Sequence, residues 1–163
     1  MKAVIQRVRN ASVKALGKVQ GSLAWGLLVY LGVAASDSIQ DVEWMAEKIS
    51  HLRIFNDDEG KMNLSLLDIA AGHKNQDEGN IGVLAISQFT LLADTRRGRR
   101  PFYGDAADPE KANQLYECFK EKIREQGLIC EAGIFQSYMD VSYSNDGPVT
   151  IILETTGEAL KTP

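Results

Sequence analysis

The segment VSYSNDGPVTIILE, residues 141–154, contains two apolar runs separated by polar turn residues. Its Asn-Asp-Gly triplet is typical of the turn of a β-hairpin. Pro148, however, occupies the position where the second strand should begin, and proline has no backbone N–H with which to continue a ladder. The segment therefore predicts two short strands, 138–144 and 149–155, joined by a stiff turn.

Similar strand patterns occur along the rest of the chain. The strands predicted outside this segment are 2–8, 11–17, 21–34, 80–94 and 128–134. The first two should pair as a hairpin, because each is short and polar residues separate them. The third should be a turn followed by a strand that is buried on both faces, because its apolar residues are almost continuous.

Two further segments have apolar residues at helical spacing. The first helix should begin near Asp37. The second should begin at Asp108, a residue type favoured at the N-cap, with Pro109 in the first helical position, and should end near Gly127. Two helices among seven predicted strands, partly segregated along the chain, indicate a single α+β domain over residues 1–163 with a largely antiparallel, barrel-like sheet.

The composition is that of a globular protein that works in a reducing compartment. The chain has 163 residues, of which 44% are hydrophobic and 25% charged, and no apolar run reaches the ~20 residues of a membrane span. The N-terminus has no signal-peptide pattern. Cys118 and Cys130 form neither a disulfide framework nor a zinc motif. We therefore expect a cytoplasmic protein without a bound metal.

The net charge of −4 argues against a surface that is generally adapted to nucleic acid. One local exception is TRRGRRP, residues 95–101. It contains four arginines within five positions, Arg96, Arg97, Arg99 and Arg100. Such a cluster is either a solvated loop or a phosphate-binding surface, and the sequence pattern alone allows both.

The usual signatures of side-chain catalysis are missing. The sequence contains no GxSxG elbow, Walker loop or GxGxxG. His51 and His73 have no partners at metal-ligand spacing. The acidic run 57–59 is more typical of a solvated turn than of a catalytic carboxylate pair.

The predicted strand 80–94 changes character near its end. Polar residues appear on both of its faces at Ser87 and Gln88, after an unbroken apolar run. This end either emerges from the core into solvent, or lines a pocket in which Gln88 and Thr90 face a ligand. A nucleophilic role for Thr90 would require an adjacent base, and none lies near it in the sequence.

Two segments together resemble one known family. SQFTL (87–91) and NDGPVT (145–150) are similar to the two signature motifs of the D-aminoacyl-tRNA deacylases of the D-Tyr-tRNA deacylase type. The resemblance extends to four flanking segments, 1–13, 26–33, 60–68 and 100–112. It implies a homodimeric α+β fold that hydrolyses the ester between a D-amino acid and the terminal ribose of tRNA. It also implies hydrolysis of glycine mischarged on tRNA, with no cofactor.

The resemblance also implies roles for the residues of NDGPVT. The Gly147–Pro148 bond would be cis and would project into the active site of the partner subunit, where its carbonyls would meet the substrate α-amino group. The residues expected to bind substrate are Asn145, Gly147, Pro148, Val149 and Thr150. A rigid wall of main-chain atoms leaves room for the α-hydrogen of a D-amino acid at the place where an L side chain would collide. It therefore selects by handedness and not by side-chain identity. Glycine, which has two α-hydrogens, would not be excluded.

The catalytic residues implied by the SQFTL motif are Ser87, Gln88, Phe89 and Thr90. The amides of Phe89 and Thr90 would stabilise the oxyanion. Water would attack the ester, assisted by the ribose 2′-hydroxyl of the tRNA, while Thr90 would position the substrate rather than attack it. In this context the four arginines would contact tRNA phosphates.

The chain departs from the family pattern at two places. It has GRRPFY at 98–103, where GNRPSF is usual, and GIFQSYM at 133–139, where G-x-F-G-A-x-M is usual. Gln136 and Ser137 thus replace small residues. Two other functions stay open on the sequence: a non-catalytic tRNA- or DNA-binding module that uses the arginine loop, and a general esterase with Thr90 or Ser87 as its nucleophile.

Overall fold

Two long antiparallel strands from the N-terminal part of the chain form the centre of the main sheet. They belong to a computed structural model that describes residues 1–72, 79–96 and 98–155; His73 and Arg97 lie outside the described residues. In chain order the strands are β1 Lys2–Ala15, β2 Lys18–Gly32, β3 Phe55–Asn56, β4 Met62–Leu64, β5 Ile81–Ser87, β6 Ile129–Ala132 and β7 Asp140–Glu154. The helices of the described part are α1 Ile39–His51, α2 Leu66–Gly72 and α3 Pro109–Glu125. This arrangement confirms the α+β class.

The predicted hairpin between 2–8 and 11–17 is wrong. Both segments belong to β1, and the turn lies at Leu16 and Gly17, where Ala15 pairs with Lys18. The polar residues between the two segments end at Asn10, which has a φ of 51°. Asparagine tolerates this left-handed conformation better than most residues, so the strand bends there without ending.

The prediction of a largely antiparallel, barrel-like sheet is also wrong. The five-stranded sheet has the order β6-β5-β2-β1-β7, so it is open, with β6 and β7 at its edges. β1 pairs antiparallel with β2 and β7, whereas β5 pairs parallel with β2 and β6. Parallel neighbours require long crossover connections. Here α1 lies in the connection from β2 to β5, and α3 lies in the connection from β5 to β6.

The two main helices agree with their predicted starts. The Asp108 carboxylate accepts a hydrogen bond from the Lys111 amide at 3.0 Å, and Pro109 is the first residue of α3. α1 and α3 pack their apolar faces on the main hydrophobic core, which includes Met45, Phe119 and Val83. The short helix α2 is not predicted by the sequence patterns. No helix in the described residues is long and apolar enough to cross a membrane.

The segment around Pro148 is one strand rather than two. In the β1–β7 ladder, Val8 pairs with Asn145 and Gln6 pairs with Thr150, so residues 146–149 face Arg7 alone. They form a wide bulge that leaves the ladder and then rejoins it. Pro148 is compatible with a strand because it lies inside this bulge, where no ladder hydrogen bond requires its N–H.

Candidate active site

The SQFTL segment turns away from the sheet at the carboxyl end of β5. The strand ends at Ser87, and a 3₁₀ helix covers Phe89–Leu92. The Gln88 N–H still donates to the Leu31 carbonyl at 2.8 Å, whereas the Leu91 N–H donates back to the Gln88 carbonyl at 3.3 Å. The predicted strand 80–94 is therefore too long, and its alternation of faces stops at Ser87.

This turn lies at the mouth of a cavity of about 1060 Å³. The cavity is bounded by the ends of β2 and β5, the start of α3 and the segment that leads into β7. Ser87, Gln88 and Phe89 all line it. Thr90 does not line it, and its side chain is exposed. The structure thus brings three of the four predicted catalytic residues to one cavity.

The 3₁₀ helix begins with main-chain donors beside this cavity. The first N–H groups of a helix have no partner within it. Among the described residues, no hydrogen bond is found for the amides of Phe89 and Thr90 or for the Thr90 hydroxyl. Nor does that part of the chain contain a group of three or more His, Cys, Asp or Glu side chains suited to a metal. The amides of Phe89 and Thr90, at the start of the 3₁₀ helix that follows β5, are therefore main-chain donors that a ligand could use.

Tyr30 is a partly buried titratable residue on the cavity wall. Burial, followed by a hydrogen bond with Tyr143, raises the pKa of Tyr30 to about 12. The phenol therefore stays protonated near neutral pH. It can donate or accept a hydrogen bond on the cavity wall, but it cannot serve there as a phenolate base.

The departures at 133–139 also lie on this cavity. Gln136, Ser137 and Tyr138 all line it. Gln136 has a φ of 59°, in the left-handed region that favours the glycine usual at this position. Tyr138 is 92% exposed. This chain therefore places larger polar residues, Gln136 and Ser137, at two positions of the cavity lining where small residues are usual.

The NDGPVT segment forms the bulge of β7 and is separate from this cavity within one chain. The Gly147–Pro148 peptide bond is cis, as the resemblance implies. Gly147 and Pro148 are exposed, and among the described residues that line the cavity none comes from 145–150. Gly147 has a φ of 123°, a conformation that is essentially restricted to glycine.

The bulge is anchored by Arg7, a residue that the sequence reasoning missed. Arg7 is 7% exposed. Its Nε donates to the Asp146 carbonyl at 3.2 Å, and its Nη1 donates to the Ile54 carbonyl at 2.6 Å and to Asn56 Oδ1 at 3.3 Å. The Asp146 carboxylate lies 3.4 Å from the same Nε. One buried guanidinium thus fixes the bulge to the β3 region, and a fork of five donors suits this task.

Asn145 closes the base of the bulge. With its amide oriented to satisfy the surrounding groups, its nitrogen donates to the carbonyls of Arg7 at 3.1 Å and Val149 at 3.2 Å. Its oxygen then accepts from Gln6 Nε2 at 3.1 Å and from the Thr150 hydroxyl at 3.3 Å. Asn145 and Thr150 are therefore placed to shape the bulge, while the Gly147–Pro148 dipeptide protrudes from it.

The arginine loop contains two kinds of arginine. Arg96 is bound by Asp94 through hydrogen bonds of 2.9 and 2.8 Å, and these bonds lower the pKa of Asp94 to about 2. Arg99 and Arg100 are exposed, and neither forms an ion pair or hydrogen bond with any other described residue. Arg97 lies outside the described residues. Of the three described arginines, Arg99 and Arg100 are thus the ones available to a ligand.

Known proteins share both the sequence and this architecture. Residues 4–154 match the family model described as D-Tyr-tRNA(Tyr) deacylase. The chain belongs to this family. The D-aminoacyl-tRNA deacylase of Fervidobacterium nodosum is 51% identical over 155 residues, which cover 95% of this chain and 97% of that protein. The family resemblance carried by SQFTL and NDGPVT is therefore confirmed.

Solved structures agree with the deacylase fold. The structure of a c-Myc DNA unwinding element binding protein has a TM-score of 0.83 and 36% identity, and covers 96% of this chain and 99% of its own. The structure of a probable eukaryotic D-amino acid tRNA deacylase has a TM-score of 0.76, covering 93% of this chain and 97% of its own. Its 14% identity supports likeness of fold alone.

Proposed function

We propose that this chain hydrolyses the ester bond of D-aminoacyl-tRNA, and of glycine mischarged on tRNA, at the cavity beside the SQFTL segment. Family membership supplies the reaction class, because D-aminoacyl-tRNA deacylation is a hydrolase activity. We choose this site because of what the structure shows at the end of β5. There the amides of Phe89 and Thr90 lack partners among the described residues, beside a cavity of about 1060 Å³.

In the proposed reaction, water adds to the ester carbonyl carbon and the carbonyl oxygen becomes an oxyanion. The N–H groups of Phe89 and Thr90 donate hydrogen bonds to this oxyanion. The bond from the carbonyl carbon to the ribose oxygen then breaks, and the ribose oxygen takes a proton that the attacking water has lost. The ribose 2′-hydroxyl assists this transfer. Ser87 and Gln88 hold the ester in the cavity, and Thr90 positions it.

Chiral selection is assigned to the bulge of β7, acting on a second copy of the chain. Gly147 and Pro148 protrude, with Val149 beside them, and no residue of 145–150 lines the cavity of the same chain. β7 is also an edge strand whose Ile152 is 72% exposed. An exposed apolar edge is a surface on which another chain can pair. We therefore place the dipeptide of one subunit at the cavity of its partner, in a cytoplasmic homodimer.

The proposal is tested by purified protein with three substrates: D-Tyr-tRNA, L-Tyr-tRNA and a small activated ester. Selective release of the D-amino acid is the expected result. RNA binding without turnover would overturn the enzyme and favour a non-catalytic binding module. Cleavage of all three substrates at similar rates would instead indicate a general esterase.

The arginine loop should contribute to tRNA binding through its two exposed members. Replacing Arg99 and Arg100 by glutamate should weaken tRNA binding and reduce the magnitude of the negative slope of log K against log salt by about 1.4 to 1.8, because two phosphate contacts are lost. Arg96→Ala should change this slope less, since Asp94 already binds the Arg96 guanidinium. The measurement is a salt titration of tRNA affinity.

A matched control for this experiment is Lys18→Glu, which reverses an exposed charge at the turn between β1 and β2. This control should leave both affinity and slope near the wild-type values. If the double glutamate variant also binds tRNA with an unchanged slope, the loop is a solvated turn and the RNA contact lies elsewhere.

A further inference from the structure

The arginine loop ends in an exposed aromatic ring. Phe102 follows Arg99, Arg100 and Pro101 directly, and it is 69% exposed. An exposed aromatic ring beside two exposed cations combines the two kinds of group that bind single-stranded nucleic acid.

The backbone holds this ring in a fixed place. The Phe102 N–H donates to the Asp94 carbonyl at 2.9 Å, and the Asp94 N–H donates to the Phe102 carbonyl at 2.7 Å. The ring lies against the main chain of Gly104, where an added Cβ would be 2.3 Å from Phe102 Cε1 and 2.5 Å from Cζ. One side of the ring is thus supported by Gly104, while most of its surface stays open.

The loop is also fixed to the candidate active site. The ring of Tyr103, the next residue, packs edge-on against Phe89 with the centroids 5.0 Å apart. Phe89 lines the cavity mouth. The loop continues through Ala106 and Ala107, which line the same cavity. The segment that follows Phe102 is therefore held at the cavity, through Tyr103 against Phe89 and through Ala106 and Ala107 on the cavity wall.

We propose that Phe102 is a stacking surface for an unpaired base at the 3′ end of the tRNA, with Arg99 and Arg100 on the adjacent phosphates. Single-stranded RNA is bound in this way, by aromatic rings that stack on bases and cations that follow the backbone. Stacking tolerates any base, because every base has a π-face. The inference rests on the proposed function, and it adds a binding residue that acts on the RNA rather than on the amino acid.

The test compares Phe102 variants in steady-state hydrolysis of D-Tyr-tRNA. Phe102→Ala should raise KM about tenfold with kcat unchanged, because stacking binds substrate and transition state equally. Phe102→Trp should restore the wild-type KM. Gly104→Ala should also raise KM although the Phe102 ring is still present, because the Cβ of the new alanine displaces that ring. Met62→Ala, which truncates a side chain that is 59% exposed elsewhere, should have no effect.

A second measurement separates this inference from the proposed function. A short single-stranded RNA that carries 2-aminopurine should lose fluorescence on binding to the wild type and lose less on binding to Phe102→Ala. Hydrolysis by the wild type, with equal KM and equal quenching in Phe102→Ala, would overturn the stacking role alone. If the wild type quenches the probe more than Phe102→Ala does but fails to hydrolyse D-Tyr-tRNA, the proposed function is overturned and the stacking role is supported. A change in sedimentation mass in Phe102→Ala would show a contact between subunits and overturn the inference.

Discussion

Replacing Phe89 by proline should lower kcat for D-Tyr-tRNA about 10²–10³-fold below the value for Phe89→Ala, the loss typical of removing one oxyanion donor. Both variants remove the Phe89 ring and its contact with Tyr103, but only proline removes the amide N–H. Phe89 is the first residue of its 3₁₀ helix, after Gln88 with a φ of −146° and a ψ of 82°. Proline is tolerated at a first helical position, and Gln88 is outside the α region that a following proline disfavours. The measurement is single-turnover hydrolysis with saturating enzyme.

Thr90→Ala completes this comparison, because it keeps the amide and removes the hydroxyl. If Thr90 positions the substrate, Thr90→Ala should retain much of the activity. If Thr90 is the nucleophile, activity should fall to background. The thermal midpoints of the three variants report whether the fold is intact. If Phe89→Pro is folded and as active as Phe89→Ala, the amide of Phe89 does not stabilise the oxyanion. Background activity in Thr90→Ala would assign the nucleophile to Thr90.

The elements that could be predicted from the sequence are those fixed by local chemistry. The N-cap Asp108 with Pro109 marks the start of α3, because both residue types act within one helical turn. The parallel pairing of β5 with β2 and β6 is a different case. This pairing depends on where the β2–β5 and β5–β6 connections return the chain to the sheet. The alternation of polar and apolar residues within one strand contains no information about that position. The predicted barrel-like sheet fails for that reason.

The site shows the same division between local and distant effects. SQFTL and NDGPVT can be found as motifs, but the pairing that places SQFTL, in which the Gln88 N–H donates to the Leu31 carbonyl, joins segments far apart in the chain. Two missed features did have local signals. Arg7 follows Ala3 and Ile5 on the inward face of β1, so a charge stands at a core position. Arg96 follows Asp94 by two residues, a spacing that allows the observed ion pair.

The second large effect is expected at the bulge of β7. Gly147→Ala should lower kcat/KM for D-Tyr-tRNA about 10²-fold, because a displacement of about 1 Å at a positioning group costs roughly this much. The added Cβ would lie 2.9 Å from Val149 Cγ2 and 3.0 Å from Arg7 Nη2, and the φ of 123° is unsuited to alanine. Arg7 is buried and bound to Ile54 and Asn56, so the dipeptide must move instead. The ratio of D-Tyr-tRNA to L-Tyr-tRNA hydrolysis measures the lost discrimination.

Gly60→Ala is the matched control, because Gly60 has a φ of 78° and no atoms within 4 Å of an added Cβ. It imposes a similar backbone cost, ~1–3 kcal/mol, at a turn outside the site. It should therefore lower stability while leaving the D to L ratio unchanged. Arg7→Lys should act like Gly147→Ala, since one ammonium cannot hold the Asp146 and Ile54 carbonyls in the geometry of the guanidinium fork. A folded Gly147→Ala protein with wild-type D-Tyr-tRNA activity and an unchanged D to L ratio would remove the bulge from the mechanism of chiral selection.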